Sequence, residues 1–167
     1  DIAILLPART SLPFLQAALD EANIAYRAES SSLVYQADEI RDLMAALRVV
    51  ADPGDLFACV TALRSPLFGC GDDDLWSWRS SGGSFNILAP VPPDRTEHPV
   101  GRAVTFLRGL HARSRWLTPS EVLATVIEER RMLEVAAIGP RARDAWRRLR
   151  FVVDQAVHVG RLPMFIE

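Results

Sequence analysis

The chain has 167 residues, 49% hydrophobic and 24% charged, which suits one ordinary domain or two small ones and allows a real core. A net charge of −2 excludes a global positive field toward nucleic acid, so any such contact must be a local patch. All 19 basic residues outside histidine are Arg. Without Lys, a Gly-rich phosphate loop ending Gly-Lys-Ser/Thr, Schiff-base chemistry and a Lys-dependent nuclease site are all excluded.

Ile2-Ala3-Ile4-Leu5-Leu6 is a continuous apolar run closed by Pro7, the pattern of a strand buried on both faces of a parallel sheet. Thr10 or Ser11 can cap a helix with Leu12, Leu15, Ala18 and Leu19 on one face. Ile24-Ala25-Tyr26-Arg27-Ala28 reads as a second short strand, so the first 28 residues are expected to form a right-handed βαβ unit. A polar loop, Ser30-Ser31-Ser32, precedes the short apolar Leu33-Val34-Tyr35. A strong helix follows with Ile40, Leu43, Met44, Leu47 and Val50 at helical spacing, stopped by Asp52-Pro53-Gly54. Asp55 caps the next helix, which carries Leu56, Cys59, Val60 and Leu63 and ends at Arg64-Ser65-Pro66. Asp72-Asp73-Asp74 opens a short helix through Leu75 and Trp78, closed by Gly82-Gly83.

Residues 89–99 contain four prolines and mark an extended connection, the clearest candidate domain boundary. Three helical stretches follow it. One has Ala103, Val104, Leu107 and Leu110 as its stripe; the second starts at Thr118-Pro119-Ser120-Glu121 and carries Val122, Leu123, Val126 and Ile127. The third follows Gly139-Pro140, with Trp146, Leu149, Val153 and Ala156 as its apolar face, expected to pack on the other two. Cys59 and Cys70 lack zinc spacing and suggest reduced thiols in an intracellular, cytoplasmic protein. The apolar runs are far short of a membrane span. Both ends look cut, so an internal piece of a longer protein is expected.

Several constellations carry more than one reading. Arg9 follows the first apolar run and can reach a phosphate at the carboxyl end of a strand, or be an ordinary surface arginine. Tyr26, Tyr35 and Arg48 suit base stacking on a single strand, and equally a half-buried core with satisfied hydroxyls; Glu39 suits a helix start through the macrodipole. Asp72, Asp73 and Asp74 fit helix capping better than a metal site. Arg143, Arg147 and Arg150 share a narrow sector of the last long helix, either as a stripe for a phosphate backbone or as a solvated face paired with acids such as Glu128, Glu129 or Glu134. His98, His111 and His158 stand far apart, and no nucleophile motif appears, so a self-contained active site is not expected.

The order of segments adds a resemblance. Asp1-Ile-Ala-Ile-Leu-Leu-Pro-Ala-Arg9 and the residues through Leu19 resemble motif IV of the UvrD/Rep-type superfamily 1 DNA helicases. The stretch from Ile24-Ala-Tyr-Arg27 through Tyr35-Gln-Ala-Asp-Glu39-Ile-Arg-Asp-Leu-Met-Ala-Ala-Leu-Arg48 resembles the segment that follows it, and Asp52-Pro-Gly-Asp55 and Leu63-Arg-Ser-Pro-Leu-Phe-Gly69 continue in register. The flavour is that of the AddA/RecB-like helicase–nucleases. The resemblance implies an α/β fragment that is predominantly helical: a partial parallel βαβ RecA-like second motor lobe over 1–95, then an all-α 2B-like accessory subdomain over 96–167. It implies an ATP-dependent helicase acting in recombination and double-strand-break repair. ATP and Mg2+ would be bound by the intact protein and not by this piece alone. Partners would be single-stranded and duplex DNA, the remaining motor lobes and a second helicase–nuclease subunit, with no membrane. Where the family places an Arg directly after the motif IV strand this chain has Pro7, with Arg9 as the nearby substitute for γ-phosphate contact. Tyr26, Tyr35, Arg143, Arg147 and Arg150 would touch DNA. The alternative is a helical docking module of a repair complex, with no direct DNA or ATP role.

Overall fold

The computed structural model describes residues 2–6, 9–22, 24, 26, 34–139 and 142–166, the side chains of Arg9, Pro13 and Asp20 excepted. The chain divides into two compact units, residues 1–31 and 32–167.

In the first unit a short 3-10 turn, Arg9–Ser11, leads into helix α1 (Leu12–Glu21). The expected βαβ unit is not formed. Ile2–Leu6 has no regular secondary structure, with Ile2 94% and Leu5 93% exposed, and neither Ile24 nor Tyr26 belongs to a strand. Ala25, Arg27 and Ala28 of the expected second strand lie outside the described residues, as do Ser30–Ser32, Leu33 and Pro7. The physical reason is that a strand is made by its neighbour. The hydrogen-bond ladder comes from a second chain segment, and no strand occurs among the described residues to supply one. An apolar run alone specifies burial, not pairing.

The second unit is wholly helical among its described residues: α2 (Asp38–Ala51), α3 (Leu56–Arg64), α4 (Asp72–Ser80), α5 (Pro99–Arg113), α6 (Pro119–Glu129), α7 (Met132–Ala137), α8 (Ala142–Ala156) and α9 (Leu162–Ile166). Here the expected helices stand. Helix α2 is central. Ile40, Leu43, Ala46, Leu47, Val49 and Val50 are fully buried, and it packs against α3, α5, α6, α8 and α9. Asp38 and Glu39 in its first turn and Arg48 in its last complement the helix dipole. His111 of α5 reaches its carboxyl end, with Nδ1 2.7 Å from the Val50 carbonyl oxygen, one of the acceptors a helix end leaves without an internal partner.

The caps follow the sequence. Asp55 Oδ1 accepts from the Ala58 amide at 2.8 Å at the start of α3. Glu121 accepts from the Thr118 amide at 2.7 Å, and Thr118 accepts in return from the Glu121 amide, closing a capping box on α6. At α4 the order differs. Gly71 is the cap position, and its amide donates to Asp74 Oδ2 at 2.9 Å.

The Pro-rich connection is held down, not free. It forms a 3-10 turn at Pro93–Arg95, and Arg108 of α5 donates from Nε to the Ile87 carbonyl at 2.5 Å and from Nη2 to that of Ala89. Trp78 is buried beneath it, its indole donating to the Ser84 carbonyl at 3.0 Å. Gly83 and Gly101 make room for this contact: a Cβ on Gly83 would fall 2.3 Å from the Trp78 ring, and one on Gly101 2.2 Å from the Arg95 carbonyl oxygen. The core therefore runs continuously from α2–α4, through the connection, to α5–α8.

Helix α8 departs from its expected face. Its buried residues are Ala145, Leu149, Val152 and Ala156; Trp146 is 46% exposed and Val153 only partly buried. It packs chiefly on α6 and α7, and also on α2.

Candidate nucleic-acid interface

Helix α8 presents its basic side chains in two directions. On its inner flank Arg148 crosses to α2, where its Nε donates to Glu39 Oε1 at 2.6 Å; both side chains are about three-quarters buried, with relative exposures of 25% and 22%. Glu39 thus has a partner beyond the helix dipole. Sequence reasoning missed this pair because its members lie 109 residues apart. The wheel did not signal it either: Arg148 lies beside the observed stripe of Ala145, Leu149, Val152 and Ala156, but well away from the expected face of Trp146, Leu149, Val153 and Ala156.

On the outer flank Arg143, Arg147 and Arg150 are exposed. Arg147 meets Asp144 at 3.6 Å, an exposed i,i+3 pair. The Arg150 guanidinium lies 5.6 Å from the Trp146 ring centre, within cation–π range. None of the expected pairings of these three with Glu128, Glu129 or Glu134 occurs. Glu129 pairs with Arg113 at 3.4 Å and Glu134 with Arg131 at 3.1 Å.

Tyr35 and Arg48 come together on a different surface. Both line a groove of 790 Å³ between α2, α3 and α9, along with Asp38, Arg41, Asp42, Phe57 and Phe165. Its charges are mixed: Arg41 lies 3.6 Å from Asp38, and the Asp42 carboxyl is pushed above the usual range, first by burial and then by neighbouring Asp38. Arg9 and Tyr26 belong to the first unit. Arg9 starts the 3-10 turn, its side chain outside the described set, and Tyr26 is half-buried.

A second cluster is structural. Arg130, after α6, lies 4.8 Å from the Phe68 ring centre and 5.5 Å from that of Phe106, and its Nε donates to the Leu67 carbonyl at 2.8 Å. These contacts tie the loop after α3 to α5 and α6. Among the described residues no group of three His, Cys, Asp or Glu side chains could hold a metal ion, and no helix is long and apolar enough to cross a membrane.

Comparison with known proteins supplies a relationship. The chain is 24% identical over 163 residues to an ATP-dependent helicase/nuclease subunit of Listeria monocytogenes, with the alignment covering 93% of this chain and 13% of that protein. It is 35% identical over 72 residues to the ATP-dependent DNA helicase UvrD1 of Mycobacterium tuberculosis, covering 43% of this chain and 9% of the relative. No family model matches the chain. The chain is thus similar to superfamily 1 helicases, and it spans about an eighth or less of the length of these two relatives.

Proposed function

We propose that the chain is a segment of an ATP-dependent DNA helicase of the helicase–nuclease branch, working in recombination and double-strand-break repair. The observation that carries this is the similarity, along nearly the whole chain, to the Listeria helicase/nuclease protein. On this reading residues 1–95 come from the second motor lobe and residues 96–167 from the 2B-like accessory subdomain. The second unit, 32–167, crosses that boundary with one continuous core, so its two portions would move as one body.

The residues of this chain do not by themselves fit ATP and Mg2+. The sequence has no Lys to neutralise transferring phosphates and no Gly-rich phosphate loop. Nucleotide and metal would be held by other parts of the intact protein, with Arg9 as the candidate γ-phosphate contact from this chain. The contribution that geometry supports is DNA contact through Arg143, Arg147 and Arg150, which are exposed on α8; Tyr26 and Tyr35 stay in the proposal on the sequence resemblance alone. A cytoplasmic setting and a second helicase–nuclease partner belong to the same proposal.

The test uses the chain and the intact protein together. The chain alone is expected to hydrolyse no ATP, and Arg9→Ala in the intact protein is expected to lower turnover by ~10³-fold with little effect on ATP affinity. DNA-stimulated hydrolysis by the isolated chain would overturn the assignment. A second reading, a docking module without DNA contact, is favoured by one observation: Phe57 on α3 and Trp76 on α4 stand 82% and 75% exposed. Salt-independent indifference to DNA would select it.

A further inference from the structure

Trp146 is the aromatic residue that helical spacing assigns to the core and the structure leaves 46% exposed. At 3.6 residues per turn, Arg143, Trp146, Arg147 and Arg150 fall within one sector of about 100°, centred some 140° from the buried stripe Ala145, Leu149, Val152 and Ala156. The indole therefore sits among the outward arginines, 5.6 Å from the Arg150 guanidinium, over about 10 Å of helix.

We propose that this face of α8 binds single-stranded nucleic acid, one base stacking on the exposed indole of Trp146 while the flanking phosphates meet Arg143, Arg147 and Arg150. This rests on the helicase reading and sharpens it. Charge complementarity selects the occupant, because three guanidinium groups around one half-exposed indole, Arg150 lying over its ring at 5.6 Å, match alternating phosphates and bases. A duplex would use only the arginines, since its base faces are already stacked. On α8 itself two acids bound the site. Asp144 holds Arg147 in an exposed pair at 3.6 Å, which phosphate can displace because such pairs are weak, and Asp154 lies one turn beyond Arg150 and limits the stripe at that end.

The experiment measures binding of the 167-residue chain to a fluorescein-labelled oligo-dT and to a blunt duplex of equal length, by anisotropy at several salt concentrations. Trp146→Ala is expected to weaken single-strand binding about 5- to 150-fold, the range for losing one base–aromatic stack, and to leave duplex affinity within about twofold. Trp146→Phe, which keeps a ring, should retain most of the single-strand affinity with unchanged helical content. Changing Arg143, Arg147 and Arg150 together to Gln should reduce the single-strand log–log salt slope by about 2. Unchanged single-strand affinity in Trp146→Ala, or equal losses on both DNA forms, overturns the stacking site. If the triple variant still flattens the duplex slope in that case, the helicase reading survives and only the stacking fails. If the unaltered chain binds neither form in a salt-dependent way, the α8 contact to DNA fails as a whole. Equal competition by a polyglutamate peptide would make the face a general polyanion surface and likewise overturn the proposal.

Discussion

Gly101 and the Arg148–Glu39 pair show how single residues set the geometry of the second unit. At Gly101 two effects oppose each other. Alanine is the better helix former by about 1 kcal/mol, but its Cβ would lie 2.2 Å from the Arg95 carbonyl oxygen and 3.3 Å from the Trp78 ring. The clash is with backbone, which cannot swing aside, and overpacking of this kind costs about 1–3 kcal/mol. Gly101→Ala is therefore expected to lower the melting temperature by a few degrees despite its propensity gain, as thermal denaturation would show. The Arg148–Glu39 pair, at 2.6 Å and mostly buried, contrasts with Arg147–Asp144 at 3.6 Å on the surface. A double-mutant cycle on Arg148→Met and Glu39→Gln should return a coupling of about 1–3 kcal/mol, as charge-assisted hydrogen bonds out of water do. The same cycle on Arg147 and Asp144 should return less than about 0.5 kcal/mol. Equal couplings would mean that burial does not strengthen the inner pair.

At the scale of the element, α6 depends on its capping box. Thr118→Ala removes the acceptor for the Glu121 amide and should destabilise by about 1 kcal/mol, a fall of about 2–4 °C in melting temperature. The hydrogen bonds from the Thr118 amide and hydroxyl hold the Glu121 carboxyl below the usual carboxylate range. A lowered folded pKa stabilises above the unfolded value, about 4.3, and that contribution disappears as pH falls through the folded value. The penalty of Glu121→Gln should accordingly be present at neutral pH and vanish in acid, which melting curves at several pH values would show. Such local features are why the helices were legible in the sequence. Asp55 and the Thr118–Glu121 box mark helix starts, and the spacing of Ile40, Leu43, Leu47 and Val50 marks a buried face, all within a few residues of each other. What was not legible depends on distant partners. Ile2–Leu6 has the composition of a buried strand, but no strand among the described residues pairs with it. On α8 Leu149 and Ala156 are buried as expected, but Ala145 and Val152 take the places of Trp146 and Val153, so the buried face is turned and Trp146 comes out. Of the candidate site, the basic stripe was readable from the wheel, whereas its aromatic member and the inward turn of Arg148 were not.

For the molecule as a whole, the issue is whether residues on the two sides of the Pro-rich connection unfold together. The core is continuous across it, with Trp78 buried under the connection and α2 packed on α5, α6 and α8. Cys59 and Cys70, both on the early side, report on this. They are buried, and burial pushes their thiols up to about 12 and about 11, so they should react with a thiol reagent only when the structure opens. Leu123 lies on the far side, in α6, and is fully buried. Leu123→Ala should destabilise by about 2–5 kcal/mol through lost burial and the cavity left behind. If the unit is one cooperative body, that loss raises the open population everywhere, and labelling of Cys59 and Cys70 accelerates by about 30-fold or more where opening is fast relative to reaction. If the portion after the connection opens by itself, labelling stays at its original rate while α6 melts early by circular dichroism. The first outcome would make the helical body a single lever, so that force or ligand applied at α8 is felt at α2. The second would place a hinge at the proline-rich segment despite the two hydrogen bonds from Arg108 that hold it.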